Sequence, residues 1–114
     1  MIVPAPVQAA MTAALSDDVH ADAQRERYRA RRAALRAALA GAGWRIDHSE
    51  AGLYLWAAHP DHGCWSAAEL LAAQCGILVT PGELYGPTGT RHIRVALTAT
   101  DGLVAEAVRR LAAL

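Results

Sequence analysis

The hydrophobic periods along this chain predict an α+β fold: a short, mostly antiparallel sheet packed with helices and preceded by a long helix. Three observations carry that reading. Long segments at either end keep an apolar period near 3.6 residues, the signature of helices with one buried face. Between them lie four short runs of branched and aromatic residues bounded by turn formers, which read as strands. Finally, 114 residues at 54% hydrophobic content suffice for one core, and no second domain is expected.

In chain order, Val3 to Leu15 predicts a short helix, with Pro6 tolerated in its first turn and Val7, Ala10, Met11 and Ala14 sharing a face. Ser16-Asp17-Asp18 breaks the pattern and supplies a cap. Val19 to Ala42 reads as a long helix rich in Ala, Arg and Leu. Asp17, Asp18 and Asp22 sit near its positive end; Tyr28, Leu35, Leu39 and Ala42 form a narrow apolar stripe; Gly41 and Gly43 stop it. Trp44 to Ile46 and Leu53 to Trp56 read as an antiparallel pair of strands. His59 to Gly63 is a polar loop, and Ser66-Ala67-Ala68-Glu69 has the form of a capping box opening a helix to Cys75. Ile77 to Val79 and His92 to Leu97 read as two further strands. Thr100-Asp101 caps a closing helix whose inner face is Val104, Ala107, Val108, Leu111 and Leu114.

Composition excludes several function classes. The formal net charge is zero, so no global field draws nucleic acid or an anionic membrane. The apolar runs fall far short of the ~18 residues a membrane span needs. Met1 to Pro6 lacks the cationic and apolar regions of a secretory leader, and two cysteines fit reduced thiols rather than a disulfide framework. A cytoplasmic protein is expected, without membrane or nucleic-acid partners. All 11 cationic residues are arginine; the chain contains no lysine.

Arg25, Arg29, Arg32 and Arg36 share one helix face, but without interleaved aromatics they read as a solvated surface. His59, His62 and Cys64 with Cys75 offer metal donors, yet structural zinc sites pair ligands tightly on both sides, and here the second side is one cysteine. No metal site is expected. His20 and His48 have no partner that the sequence names. Gly82, Gly86 and Gly89 are too widely spaced for a phosphate loop and read as turn chemistry. No nucleophile signature is present. Arg94 remains, one charge on a branched-aliphatic strand. Two readings stay open for it: capture of a carboxylate by its planar fork, or an edge-strand arginine paired with Glu83 or another acid.

Pro4-Ala5-Pro6-Val7-Gln8-Ala9-Ala10-Met11, Gly52-Leu53-Tyr54-Leu55-Trp56, Gly76-Ile77-Leu78-Val79-Thr80-Pro81-Gly82 with Tyr85-Gly86, and Ile93-Arg94-Val95-Ala96-Leu97-Thr98 resemble the C-terminal part of class I/II aminotransferases. These are pyridoxal-phosphate enzymes of fold type I, and the subgroup of closest resemblance is actinobacterial succinyldiaminopimelate aminotransferase. The resemblance covers essentially the whole chain. It implies that Arg94 binds the substrate carboxylate, that residues 1–18 are a remnant of the large cofactor domain, and that residues 19–114 form the small C-terminal domain with its long linking helix. It further implies amino acid and 2-oxo acid substrates, a role in lysine biosynthesis and a homodimer for the complete enzyme. No catalytic or cofactor-binding residue is assigned to this chain. Without a lysine it cannot hold pyridoxal phosphate covalently, so the expectation is a C-terminal fragment, inactive alone. The rival reading is a non-catalytic α+β module that binds a small carboxylate or a protein partner.

Overall fold

The computed structural model describes residues 3–114; Met1 and Ile2, which begin the segment assigned to a large domain, lie outside the described residues. Helix α1 (Ala5–Leu15) starts two residues later than expected because Pro4 is extended and serves as its N-cap. None of its residues is buried. Val3, Val7, Met11 and Leu15 recur every fourth residue and are all exposed.

Helix α2 (Asp18–Gly41) is capped by Asp17, whose carboxylate accepts from the Val19 N–H at 3.0 Å. That bond, with a second from the His20 ring, holds the Asp17 carboxyl below its ordinary range. Leu35 and Leu39 are buried, with Tyr28 and Ala42 half-buried beside them, so the expected stripe is the packing face. Arg31 lies on the same face. Its side chain is only 12% exposed; Nε donates to Asp101 at 2.6 Å and Nη1 to the Leu97 carbonyl at 3.0 Å.

The sheet contains β1 (Arg45–Ile46), β2 (Tyr54–Ala58), β3 (Thr80–Pro81) and β4 (His92–Ala96) in the order β1-β2-β4-β3, every pair antiparallel. Residues alternate across each strand. Leu55, Ala57, Ile93, Val95 and Leu97 point to the buried side, where Leu35 and Leu39 of α2, Ala67 of α3 (Cys64–Leu70), and Val104 and Leu111 of α4 (Asp101–Leu111) cover them. Full burial of each large aliphatic contributes about 1.5–3 kcal/mol. Thr100 caps α4 as expected, accepting from the Leu103 N–H.

Three expectations are corrected. Helix α3 begins at Cys64, not Ser66, because extended Gly63 is its N-cap and the Cys64 N–H donates to the Thr90 carbonyl at 2.8 Å. Ser66 therefore lies in the first turn and donates to the Gly63 carbonyl, so there is no capping box with Glu69. After Leu70 the helix widens into a π turn, Leu71–Cys75, closed by Gly76 at φ +62°. That turn folds Ile77 back so that its N–H bonds the Leu71 carbonyl at 3.0 Å. Ile77 to Val79 consequently forms no strand, and pairing with β4 starts at Thr80. Leu114 is 43% exposed because α4 ends at Leu111.

An apolar stripe left open along a whole helix favours association. In sedimentation velocity the chain is expected to self-associate as its concentration rises. Deleting residues 1–15 is expected to abolish the association and leave the melting temperature nearly unchanged, since α1 buries nothing. A clean monomer at high concentration would show that the stripe is not adhesive.

Candidate functional site

The alternation that sends Ile93 and Val95 into the core lifts Arg94 onto the opposite face of the sheet. Its cross-strand partners are Trp56 on β2 and Thr80 on β3. Nη2 donates to Thr80 Oγ1 at 3.3 Å. The guanidinium carbon stands 4.3 Å from the Tyr54 ring centroid and 5.1 Å from that of Tyr85. Nε is enclosed and has no acceptor, whereas Nη1 is neither enclosed nor bonded among the described residues.

Tyr85 ends the first of two successive 3₁₀ turns, Gly82–Tyr85 and Pro87–Gly89. The first turn lies so close to the second that a β-carbon on Gly82 would collide with the Gly89 carbonyl and stand 2.6 Å from the His92 carbonyl oxygen and 2.8 Å from the Trp56 ring. Glycine is needed here for close backbone approach, which goes beyond the turn chemistry expected from the sequence. Trp56 completes the face, edge-on to Tyr85 at 5.9 Å and stacked on His92 at 5.2 Å.

Of the two readings open for Arg94, edge pairing with Glu83 is overturned. Strand β4 is interior, between β2 and β3, and the Glu83 carboxylate instead accepts from Trp65 Nε1 at 2.6 Å. Thr80, Tyr54 and Tyr85 enter the sequence reading only as letters of the family-like segments, with no role at the site. For Tyr54 the signal was present, because strand parity puts it on the same side as Trp56.

The other candidates disperse. The rings of His59 and His62 lie 4.9 Å apart, but Cys64 and Cys75 are buried free thiols, and no group of three metal donors occurs among the described residues. The Arg25 and Arg29 side chains pair with Asp22 and Glu26 of their own helix, and Arg32 donates to the Gly52 carbonyl. Among the described residues no helix is long and apolar enough to cross a membrane.

Residues 1–111 match the family Aminotransferase class I and II. The chain belongs to that family. It is 63% identical over 111 residues to a protein of Mycobacterium tuberculosis named as a probable aminotransferase, covering 97% of this chain and 26% of that protein. It is 56% identical over 109 residues to the 4-dedimethylamino-4-oxo-anhydrotetracycline transaminase of Streptomyces rimosus, covering 96% of this chain and 30% of the relative. The substrate-bound structure of BacF from Bacillus subtilis superposes with a TM-score of 0.81 at 27% identity, over 96% of this chain and 29% of that one. The chain thus spans between a quarter and a third of the length of these aminotransferases.

Class I and II aminotransferases depend on pyridoxal phosphate. The residues present here do not fit covalent retention of that cofactor. With no lysine in the chain, no side-chain amine is available to condense with its aldehyde. The chain does present the Arg94 face of the sheet.

Replacing Gly82 tests how that face is held. Gly82→Ala is expected to lower stability by about 2–3 kcal/mol through overpacking, read as a melting temperature lower by roughly 8–20 °C. A melt within a degree or two of the parent would mean that the turn yields freely and does not fix Tyr85.

Proposed function

We propose that this chain is the C-terminal part of a pyridoxal-phosphate-dependent aminotransferase, in which Arg94 grips the carboxylate of the amino acid or 2-oxo acid substrate. The observation that carries this reading is a guanidinium on an interior strand, turned away from the core, set against two tyrosine rings and left without an acid partner among the described residues. Leaving such a charge without a carboxylate sacrifices the strongest pairing its fork can make. A planar carboxylate meets two parallel N–H donors of the fork, and that geometry fixes the orientation of the attached Cα. Orientation is the catalytic contribution of such a grip, since a properly aligned reactant forgoes much of the entropic barrier.

Within this reading, residues 1–18 belong to the cofactor domain and residues 19–114 to the small domain, with α2 as the link. The complete absence of burial on α1 supports that division. The complete enzyme is read as a cytoplasmic homodimer, and two buried free thiols are consistent with a reducing compartment. For the acceptor we propose N-succinyl-2-amino-6-oxopimelate, with glutamate as donor, on the route to lysine; its support is the sequence resemblance. The reaction class also draws on a relative at 56% identity, which is named a transaminase of 4-dedimethylamino-4-oxo-anhydrotetracycline, a different acceptor. The rival, a non-catalytic carboxylate-binding module, draws on the missing lysine. An in-frame upstream sequence encoding a lysine-bearing domain would decide against it.

Two measurements test the proposal. Incubated with pyridoxal phosphate and dialysed, the chain is expected to retain no visible chromophore beyond what its terminal amine holds; retention by a side chain would contradict the reading. In the complete enzyme, Arg94→Lys keeps the charge but loses the two-donor fork, and is expected to reduce kcat/KM by about 30- to 1,000-fold, the equivalent of ~2–4 kcal/mol. Cofactor binding should survive. A lowered melting temperature with kcat/KM intact would return Arg94 to a structural role.

A further inference from the structure

We propose that Tyr54 and Tyr85 are positioning residues for Arg94: their ring faces clamp the guanidinium and hold its fork in one orientation before any ligand arrives. The proposal rests on the reading of Arg94 as the carboxylate grip. An arginine side chain rotates about several single bonds, and immobilising it costs conformational entropy. If that cost fell at the moment of binding, the grip would be correspondingly weaker. The only hydrogen bond holding the Arg94 side chain among the described residues is the one to Thr80 at 3.3 Å, and a single long bond leaves the plane of the fork free to turn. The two rings remove that freedom. Tyr54 sits diagonally across the β2–β4 ladder, paired with Ala96 while Arg94 pairs with Trp56. Its centroid is 4.3 Å from the guanidinium carbon, and Tyr85 closes in at 5.1 Å from the 3₁₀ turn after β3. Both distances lie within the ~6 Å range of a cation–π contact.

The remaining donors agree with a clamp rather than a simple packing contact. Nε is enclosed with no acceptor, while Nη1 is open. Tyr54 and Tyr85 are themselves 45% and 53% exposed, so they are not core fillers and their truncation opens no buried cavity. The Tyr85 ring is backed in turn by the edge contact with Trp56 and by the turn packed against Gly89.

The test uses the 114-residue chain and the arginine Nε–H signals of its ¹H–¹⁵N spectrum, with the Arg94 signal assigned by its loss in Arg94→Lys. Acetate is the probe, titrated against chloride at constant ionic strength. In the parent chain the Arg94 signal is expected to be displaced by ring currents and to shift saturably with acetate. Tyr54→Leu and Tyr85→Leu should each remove part of the displacement and weaken acetate binding by about 2- to 5-fold, the worth of one partly exposed cation–π contact. Tyr54→Phe and Tyr85→Phe keep the ring face and should rescue both readouts, with melting temperatures close to the parent throughout. Leucine variants that match the parent in displacement and affinity would overturn the clamp, as would phenylalanine variants that fail to rescue. If the parent shows no acetate response, the carboxylate reading falls; the clamp is then decided by the displacement alone, which needs no ligand. Should Tyr54→Leu fail to fold, Tyr85→Leu and the two phenylalanine variants decide the matter.

Discussion

The structure depends on the parity of one strand. Along β4 and the residue that follows it, Ile93, Val95 and Leu97 are buried while His92, Arg94 and Ala96 face the other way, and pairing on both edges fixes that register. A slip of one residue would exchange the faces and drive the arginine under α2 and α4. The cost of desolvating an unpaired charge there would be several kcal/mol, on top of the lost burial of three aliphatic side chains. The register is therefore specified twice over, by what must be buried and by what must not. Everything on the opposite face, including the stacked Trp56 and His92 rings, takes its place from that choice.

Two arginines of this chain illustrate how differently the same group is used. Arg31 is almost enclosed and its donors are answered from within the protein, by the Asp101 carboxylate and the Leu97 carbonyl. It ties the long helix to the end of β4 and the start of α4, and nothing about it asks for a ligand. Arg94 has aromatic faces, one hydroxyl and no carboxylate among the described residues. The contrast lies in the partners rather than in exposure, because both side chains are substantially covered. A composition without lysine suits both uses: the guanidinium is planar and weakly hydrated, and so tolerates partial burial that an ammonium resists.

Much of this was legible in the sequence because it follows from local periodicity. The stripe of Leu35 and Leu39, the pairing of β1 with β2, the Thr100 cap and the two faces of β4 all emerge from spacing. The errors fall where tertiary contacts override local preference. Ser66 and Glu69 have the letters of a capping box, but the Thr90 carbonyl captures the Cys64 N–H and starts the helix earlier. Ile77 to Val79 has strand composition, but the left-handed turn at Gly76 and the Arg110 side chain on the Cys75 carbonyl shift the pairing onward. The charge of Arg31 conceals its place on the Tyr28–Leu35–Leu39 stripe. The Arg94 site was half legible: strand parity gives its face, but Tyr85 arrives through a loop whose path depends on two glycine backbones passing in contact.

The bond from the Trp65 indole to Glu83 has a practical meaning. Trp65 is 52% exposed on α3, while its partner sits in the turn that carries Tyr85. Trp44 is buried at 3% exposure, and Trp56 on β2 meets the Tyr85 ring edge-on at 5.9 Å. Indole emission responds to hydrogen bonding and hydration, so Trp65 is an intrinsic optical gauge of whether the turn is seated on the sheet. Loosening of the turn hydrates this indole and parts Trp56 from Tyr85 while Trp44 stays in the core. A change in the Trp65 and Trp56 emission alone therefore marks a local movement at the arginine face, and a change in all three marks melting of the core.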